Sequence, residues 1–350
     1  MMQQIKMNKI LVTGGLGYIG SHVVVELQKM DFEVVIIDDL SNSSLEVLGH
    51  IKEITGIKPG FEKIDLKEKR DVARFFNRHA DFDGIIHFAA SKAVGESVNN
   101  PLKYYENNIN SLIYLLEELN KLASPKLIFS SSCTVYGQAD KLPITENSPI
   151  KGAESPYGNT KIMGEQIIKD CCKANHSLQS IILRYFNPIG AHDSANIGEL
   201  PVGVPQNLVP FITQTGIGVR GELSVFGNDY PTPDGTCIRD YIHVVDLAKA
   251  HVVAIKRLLE KKNLKNREFF NIGTGKGASV LDVVKAFEAV SGIKLNYVFK
   301  DRREGDVVSA FADISKANKV LGWKSELSLK DALASAWKWE KKLNLNENTI

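Results

Sequence analysis

A doubly wound parallel sheet with helices on both faces, followed by a smaller irregular α/β region, is the architecture this sequence predicts. Three observations carry it: a glycine-rich turn between an apolar strand and a helix, regular alternation of short strands with amphipathic helices through the first half, and loss of that alternation after Pro188. Lys9 to Thr13 reads as a buried strand, Gly14-Gly15-Leu16-Gly17-Tyr18-Ile19-Gly20 follows, and Ser21 to Leu27 has helical spacing. In such a turn Gly14 permits the bend, Gly17 lets backbone approach a pyrophosphate, and Gly20 allows close helix packing. Tyr18 and Ile19 stand at the helix N-terminus, whose amides suit an anion. The second strand, Glu33 to Ile37, ends in Asp38-Asp39, where a carboxylate is expected to meet the adenosine ribose hydroxyls and repel a 2′-phosphate. That selects NAD over NADP, with Asp38 at the strand end the candidate; the two acids also fit the opening of a surface loop.

The remaining elements follow in order. Strands from Phe61 to Asp65, Gly84 to His87 and Lys126 to Ser130 alternate with helices from Lys69 to Arg78 and Tyr104 to Leu122, completing a Rossmann-type sheet. Ser155 as cap and Pro156 in the first turn open a helix to about Ala174, and a strand runs from Ser180 to Tyr185. From Pro188 to about Thr236 the chain is rich in Gly, Pro and Asn, with one convincing helix near Leu208 to Gln214. This predicts a small cap over the sheet's C-terminal edge, with a ligand cleft at the junction. Ile242 to Leu259 returns to the large domain, and Glu268 to Trp323 rejoins the cap. The expected division is therefore 1–187, rejoined by about 240–262, for the NAD-binding domain, and 188–239 with 263–343 for the second. The polar tail after Trp339 is expected to be mobile.

Composition narrows the function class. With 350 residues, 43% hydrophobic and 24% charged, the chain suits a packed enzyme rather than a disordered or membrane-embedded protein. No apolar run approaches the ~20 residues of a membrane span, and Met1 to Met7 lacks the apolar core of a signal peptide. A cytoplasmic location is expected. A net charge of +2 without a basic tract argues against nucleic acid. Cys133, Cys171, Cys172 and Cys237 have neither metal-ligand spacing nor the look of a disulfide framework, so no metal is expected and the thiols read as reduced.

Tyr157 and Lys161, four residues apart, stack a phenol and an ammonium on one helix face. Lowering a phenol from a pKa of roughly 10 to neutrality needs about 4 kcal/mol, part of which a neighbouring cation can supply. Alone, the spacing also fits a half-buried aromatic beside a solvated amine. Ser130-Ser131-Ser132 adds a hydroxyl where strand ends line the crevice, though three serines also suit an ordinary strand exit.

In combination, the glycine turn, Ser132 and Tyr157-x-x-x-Lys161 resemble the extended short-chain dehydrogenase/reductase family. From Lys9 to Trp339 the chain is similar to the UDP-glucose 4-epimerase family within it. The runs that carry this include His87-Phe88-Ala89-Ala90-Ser91-Lys92, Leu183-Arg184-Tyr185-Phe186-Asn187-Pro188, Phe226-Gly227-Asn228-Asp229-Tyr230-Pro231-Thr232, Arg239-Asp240-Tyr241-Ile242-His243 and Arg302-Arg303-Glu304-Gly305-Asp306. Sugar-nucleotide 4,6-dehydratases, the nearest rivals, are expected to carry an Asp-Glu pair beside the threonine after the serine strand. Here Cys133 and Val135 flank Thr134.

The resemblance implies NAD-dependent 4-epimerisation of UDP-hexoses through a transient 4-keto sugar. Tyr157 is then the base, Ser132 bonds the reacting oxygen, and Lys161 holds the nicotinamide ribose and, with the positive nicotinamide, depresses the Tyr157 pKa. It further implies cofactor contacts from Asn42 and Ser43 beside Asp38, from Asp65 and Leu66 at the adenine, from Phe88, and from Lys92 at the phosphates. Asn107, Ser130 and Tyr185 complete that side. On the substrate side it implies Arg239 and Arg303 on the pyrophosphate, Asp306 on the uridine ribose, and Phe226 against the uracil. Asn187, Asn207 and Leu208 approach the phosphates and hexose. Ala310 stands where the best-known bacterial pattern has a bulky tyrosine, so UDP-N-acetylglucosamine and UDP-N-acetylgalactosamine are expected to be interconverted too, unless neighbouring loops fill the gap. A homodimer through the Tyr104 and Tyr157 helices is implied, although Leu112, Leu115, Leu116 and Leu119 fit an interface or a core alike. Two other classes stay open: another NAD-dependent sugar-nucleotide enzyme such as a dehydratase or decarboxylase, and a non-catalytic NAD-sensing protein.

Overall fold

In the computed structural model, which describes residues 7–303 and 305–347, the apolar runs Ile10–Val12 and Ile36–Ile37 form central strands buried on both faces. The first half alternates β1 (Lys9–Thr13), α1 (Tyr18–Gln28), β2 (Glu33–Asp38), α2 (Glu46–Thr55), β3 (Gly60–Lys63), α3 (Lys69–Arg78), β4 (Gly84–His87), α4 (Val94–Asn99), α5 (Pro101–Leu119), β5 (Lys126–Ser132), α6 (Pro156–Ala174) and β6 (Gln179–Tyr185). The second half carries β7 (Asn187–Ile189), α7 (Leu208–Gly216), β8 (Leu223–Phe226), β9 (Ile238–His243), α8 (Val244–Leu259), β10 (Arg267–Ile272), β11 (Gly277–Ser279), α9 (Val280–Ser291), β12 (Tyr297–Lys300), β13 (Ser309–Ala310) and α10 (Leu329–Glu347). Seven strands form one parallel sheet in the order β10-β6-β5-β4-β1-β2-β3, the doubly wound Rossmann-type architecture that the sequence predicts.

Each face of the sheet has its own core. Val23 to Val25 of α1 and Leu247 to Leu258 of α8 cover one side, while Phe75 of α3, Leu112 to Leu119 of α5 and Ile168 of α6 cover the other. Leu112, Leu115, Leu116 and Leu119 are at most 2% exposed, so that stripe serves the chain's own core rather than an interface. A smaller mixed sheet pairs β9 with β7, β11 and β13, beside a β8–β12 pair, over a third core containing Phe287, Leu333 and Trp337. Ser155 caps α6 by accepting from the Gly158 amide at 3.2 Å, with Pro156 at the first helical position.

Three expectations need correction. Strand β10 lies in the 263–343 segment expected in the second domain, yet it pairs with β6 at the edge of the large sheet. Helix α8 is the crossover that delivers it there, burying Phe270 and Ile272 completely. The tail after Trp339 is not loose as far as Glu347, because α10 runs through it. Ala336, Trp337 and Glu340 put one helical face against the smaller lobe, and the Trp339 indole donates to the Glu199 carbonyl at 3.0 Å. The stretch after Ala90 is also helical earlier than expected, with α4 at Val94 and Pro101 opening α5. Residues before Met7 and after Glu347 lie outside the described ones. The four cysteines are unpaired, and no described helix is long and apolar enough to cross a membrane.

Glycine packing gives a direct test. A Cβ added at Gly20 would overlap the Gly14 carbonyl, whereas one added at Gly49, exposed in α2, would meet nothing within 4 Å. Gly20→Ala is therefore expected to cost about 1–3 kcal/mol and Gly49→Ala to gain up to about 1 kcal/mol, both read from urea midpoints. Equal effects of the two substitutions would contradict this packing.

Candidate active site

The strand order reverses between β1 and β4, so their C-terminal ends open a crevice. The turn after β1 admits only glycine at its two ends. Gly14 has φ of +67°, and a Cβ there would sit 2.8 Å from the Ala89 nitrogen. At Gly17 the only heavy atom near an added Cβ is the Gly14 oxygen at 3.3 Å, so the outer side of the turn is bare backbone. Gly17 is the N-cap of α1 without a capping side chain, and the amides of Tyr18, Ile19 and Gly20 have no carbonyl partner within the helix. Asp38, 8% exposed at the end of β2, accepts from the Leu16 amide (3.1 Å), the Leu40 amide (3.0 Å) and the Ser43 hydroxyl (2.8 Å). Those bonds occupy three of a carboxylate's roughly four acceptor positions, leaving it fixed with one free.

The other residues expected on this side are distributed around the same edge. Asn42 is exposed beside Ser43, and Asp65 accepts from the Lys67 amide at 2.9 Å with Leu66 buried next to it. The Phe88 amide donates to the Thr13 carbonyl at 3.0 Å, and its ring lies 4.8 Å from His251. Asn107 donates to the Ser91 hydroxyl at 3.1 Å. Lys92 is turned to Glu199 at 3.0 Å, which also accepts from Asn207 at 2.6 Å. Two residues from opposite sides of the expected cleft thus meet on one carboxylate that sequence reasoning did not single out.

Tyr157, Lys161, Ser130 and Ser132 come together where α6 crosses the ends of β5 and β6. Lys161 is 5% exposed, donates to the Ser130 carbonyl at 2.8 Å, and lies 5.2 Å from the Phe129 ring and 5.8 Å from the Tyr157 ring. Ser130 and Tyr185 share a hydroxyl–hydroxyl hydrogen bond. Ser132 is the last residue of β5 and accepts from the Thr134 amide at 3.2 Å, opening a 3₁₀ turn over Cys133–Tyr136. Burial pulls the Lys161 ammonium down to about 8, partly opposed by Glu165.

In the chain alone Tyr157 is shifted upward. Burial, and then the Tyr185 phenol, push it well above its ordinary value of 10.0, while the Ser132 hydroxyl pulls it back only in part. The Lys161 ammonium lies 5.8 Å from the Tyr157 ring centroid and donates to the Ser130 carbonyl rather than to the phenol. The protein's own groups keep Tyr157 protonated.

On the far side of the crevice, Arg239 donates to the Ile238 and Val307 carbonyls (2.9 and 2.8 Å) and to Asp306 (3.3 Å). Arg303 donates to Asp306 at 3.0 Å and lies 5.0 Å from the Phe226 ring centroid. Four residues expected to hold one ligand are thereby gathered, with Asp306 between two cations. Asn187 on β7 pairs opposite Tyr241, and Leu208 packs half-buried on the third core. Ala310, 6% exposed, packs with Val135, Tyr136 and Phe186, behind the turn that Ser132 opens. No acid flanks Thr134. Asp240, whose charge reaches Cys133, is occupied by the Thr274 amide and hydroxyl (2.8 and 2.6 Å) and the Gly275 and Ala312 amides (3.0 and 3.1 Å).

The chain is similar to known proteins along nearly its whole length. Residues 11–336 match the family model described as GDP-mannose 4,6 dehydratase. The UDP-glucose 4-epimerase of Bacillus subtilis (strain 168) is 50% identical over 331 residues, covering 95% of this chain and 96% of that protein. The structure of UDP-glucose-4-epimerase from Stenotrophomonas maltophila, with bound NAD and formylated UDP-arabinopyranose, is 44% identical with a TM-score of 0.93, covering 97% of this chain and 100% of that one. The enzyme from Bifidobacterium longum, in complex with NAD+ and UDP, is 44% identical with a TM-score of 0.92, over 98% and 100%.

The depressed lysine has a consequence for stability. A charged Lys161 is disfavoured in the fold below about 8, where folded and unfolded states are both protonated; between about 8 and 10.5 only the unfolded state keeps its proton, so folding gains as pH rises. Lys161→Met is expected to be more stable than the ligand-free wild type at pH 7 by up to about 3 kcal/mol. That advantage should shrink across the 8 to 10.5 window in urea denaturation, and a constant or growing advantage would contradict the assignment.

Proposed function

This chain belongs to the UDP-glucose 4-epimerase family, and from that premise we propose how its residues interconvert UDP-glucose and UDP-galactose with NAD. The broader match to the GDP-mannose 4,6 dehydratase family model covers the same fold. The gathering of Tyr157, Lys161 and Ser132 at the C-terminal end of β5, the same end of the parallel sheet as the glycine turn, supports the reading.

The turn fits a dinucleotide. A Cβ would close the cradle at Gly14 and Gly20, the first amides of α1 suit a pyrophosphate, and Asp38 keeps one acceptor position for a ribose hydroxyl. When bound, NAD supplies the acceptor that takes up a hydride and later returns it. Tyr157 accepts the proton of the sugar 4-hydroxyl as that carbon is oxidised to a ketone, and gives it back on reduction. Ser132 hydrogen-bonds the same oxygen. Lys161, already aimed along the β5 edge, holds a ribose hydroxyl and contributes positive charge beside the phenol. Because the surroundings alone favour the neutral phenol, the base form requires a further cation at this spot.

Arg239 and Arg303 hold the diphosphate, where guanidinium forks suit phosphate oxygens, and Asp306 exchanges part of its pairing for the uridine ribose. Affinity concentrated on the UDP leaves the hexose free to present its other face. Phe226, Asn187, Asn207 and Leu208 shape the same cleft, with Lys92, Asn107, Asp65, Leu66, Phe88 and Tyr185 on the cofactor side. The small side chain of Ala310 extends the reading to UDP-N-acetylglucosamine and UDP-N-acetylgalactosamine. A homodimer through α5 and α6, where Leu102 is 80% and Met163 48% exposed, and a cytoplasmic location belong to the same proposal.

Purified protein incubated with each of the four UDP-sugars, without added cofactor, should give the 4-epimer of each by NMR; loss of water or carbon dioxide from the sugar would reject the assignment. Tyr157→Phe should lower kcat about 100- to 10,000-fold with NAD still bound, and Ser132→Ala less. Ala310→Tyr should lose turnover selectively on the N-acetyl sugars, and an equal loss on both classes would exclude a gate at this position.

A further inference from the structure

Glu165 lies one helical turn beyond Lys161, so Tyr157, Lys161 and Glu165 form one column along α6. It is 4% exposed, as is Arg184 on β6. The Arg184 guanidinium grips it at both oxygens, Nε to Oε1 at 2.9 Å and Nη2 to Oε2 at 2.5 Å. The Ser131 hydroxyl donates to the same carboxylate at 2.5 Å, while its neighbour Ser132 faces the site. Arg184 also donates to the Tyr136 hydroxyl at 2.9 Å, on the last residue of the 3₁₀ turn that Ser132 opens, and Tyr136 donates to Asn271 of β10 at 2.7 Å.

We propose that the Glu165–Arg184 pair is the positioning unit of this active site, locking the helix that carries Tyr157 and Lys161 against the strand end and turn that carry Ser132. The inference rests on the epimerase reading above. Apolar replacement of a buried ion pair is often neutral for stability, so fold stability alone does not account for a pair so placed. Glu165 also supplies the charge that opposes burial at Lys161. The other titratable groups facing Lys161 and Tyr157 are His87 from β4, Tyr185 from β6, Tyr104 from α5 and Cys133 from the turn, while the charges of Arg267 on β10 and of Lys316 reach the Glu165–Arg184 pair itself. Burial holds His87 at about 3, Tyr185 at about 12 and Cys133 at about 12 and pushes Tyr104 up, so all four are neutral near pH 7.

The test compares wild type, Glu165→Gln, and the doubly neutral Glu165→Gln with Arg184→Gln, which leaves no unpaired buried charge. The Lys161 ammonium is titrated by NMR in lysine-labelled holoprotein, with Lys161→Met identifying its signal, and kcat is followed against pH. Without the Glu165 charge, Lys161 should release its proton at lower pH in both variants. The alkaline limb of kcat should move down with it, and kcat should fall by up to about 100-fold at a KM within about twofold of wild type. An unmoved Lys161 titration, or a double variant with wild-type kcat and pH profile, would overturn the proposal. A wild type that converts no UDP-sugar would reject the epimerase reading, and the Lys161 titration would still decide this one.

Discussion

Lys161 and Tyr157 are carried into a nearly dry corner where the surroundings favour neither of the charge states that the proposed mechanism needs. Burial draws the ammonium toward neutrality and holds the phenol protonated. Much of the local architecture opposes that tendency. The Ser130 carbonyl fixes the ammonium, Ser155 and Pro156 start α6 at the residue that sets the phenol at the strand ends, and Glu165 returns a negative charge one turn along. Positive charge brought next to the phenol would favour its ionised form. In the proposed reading, a cofactor whose oxidised form is cationic would supply that charge when bound.

In the proposed reading, affinity is built elsewhere. The Arg239–Asp306–Arg303 group sits on the smaller lobe and is more exposed, with Arg303 52% accessible. Such a site tolerates exchange of an internal carboxylate for ligand phosphates, since both states leave the guanidinium groups paired. Glu199 links the two sides by accepting from both Lys92 and Asn207. Division of labour between a dry reactive end and a wetter anchoring end suits a reaction in which the sugar must turn over while its nucleotide stays put.

Local signals were legible in the sequence. The glycine turn, the Ser155-Pro156 helix start and the strand from Lys9 to Thr13 depend on a few adjacent residues, and the structure places them where the sequence puts them. Non-local pairing was not legible. Membership of β10 in the large sheet depends on a partner strand about ninety positions earlier, and the order of α10 past Trp339 depends on the lobe it packs against. Asp306 between Arg239 and Arg303 is likewise a pairing across the second lobe that no spacing rule reveals. The phenol is the sharpest case: the i,i+4 spacing correctly put Lys161 beside it, but the direction of the Tyr157 shift depends on burial and on where the ammonium points. Glu165 carried a readable signal, the next step of the same i,i+4 series, whereas its partner Arg184 became visible only in three dimensions.

In the proposed reading the fold alone keeps Tyr157 protonated and a bound cation releases its proton. Tyrosine labelled with 13C at the ring carbon bearing the hydroxyl, with Tyr157→Phe to assign the signal, allows its ionisation to be followed by NMR in ligand-free and NAD-loaded protein. Ionisation is expected above 10.0 without ligand and at distinctly lower pH with NAD bound. A Tyr157 already ionised near neutral pH in the ligand-free protein, or one whose ionisation does not move down with NAD in place, would contradict this reading.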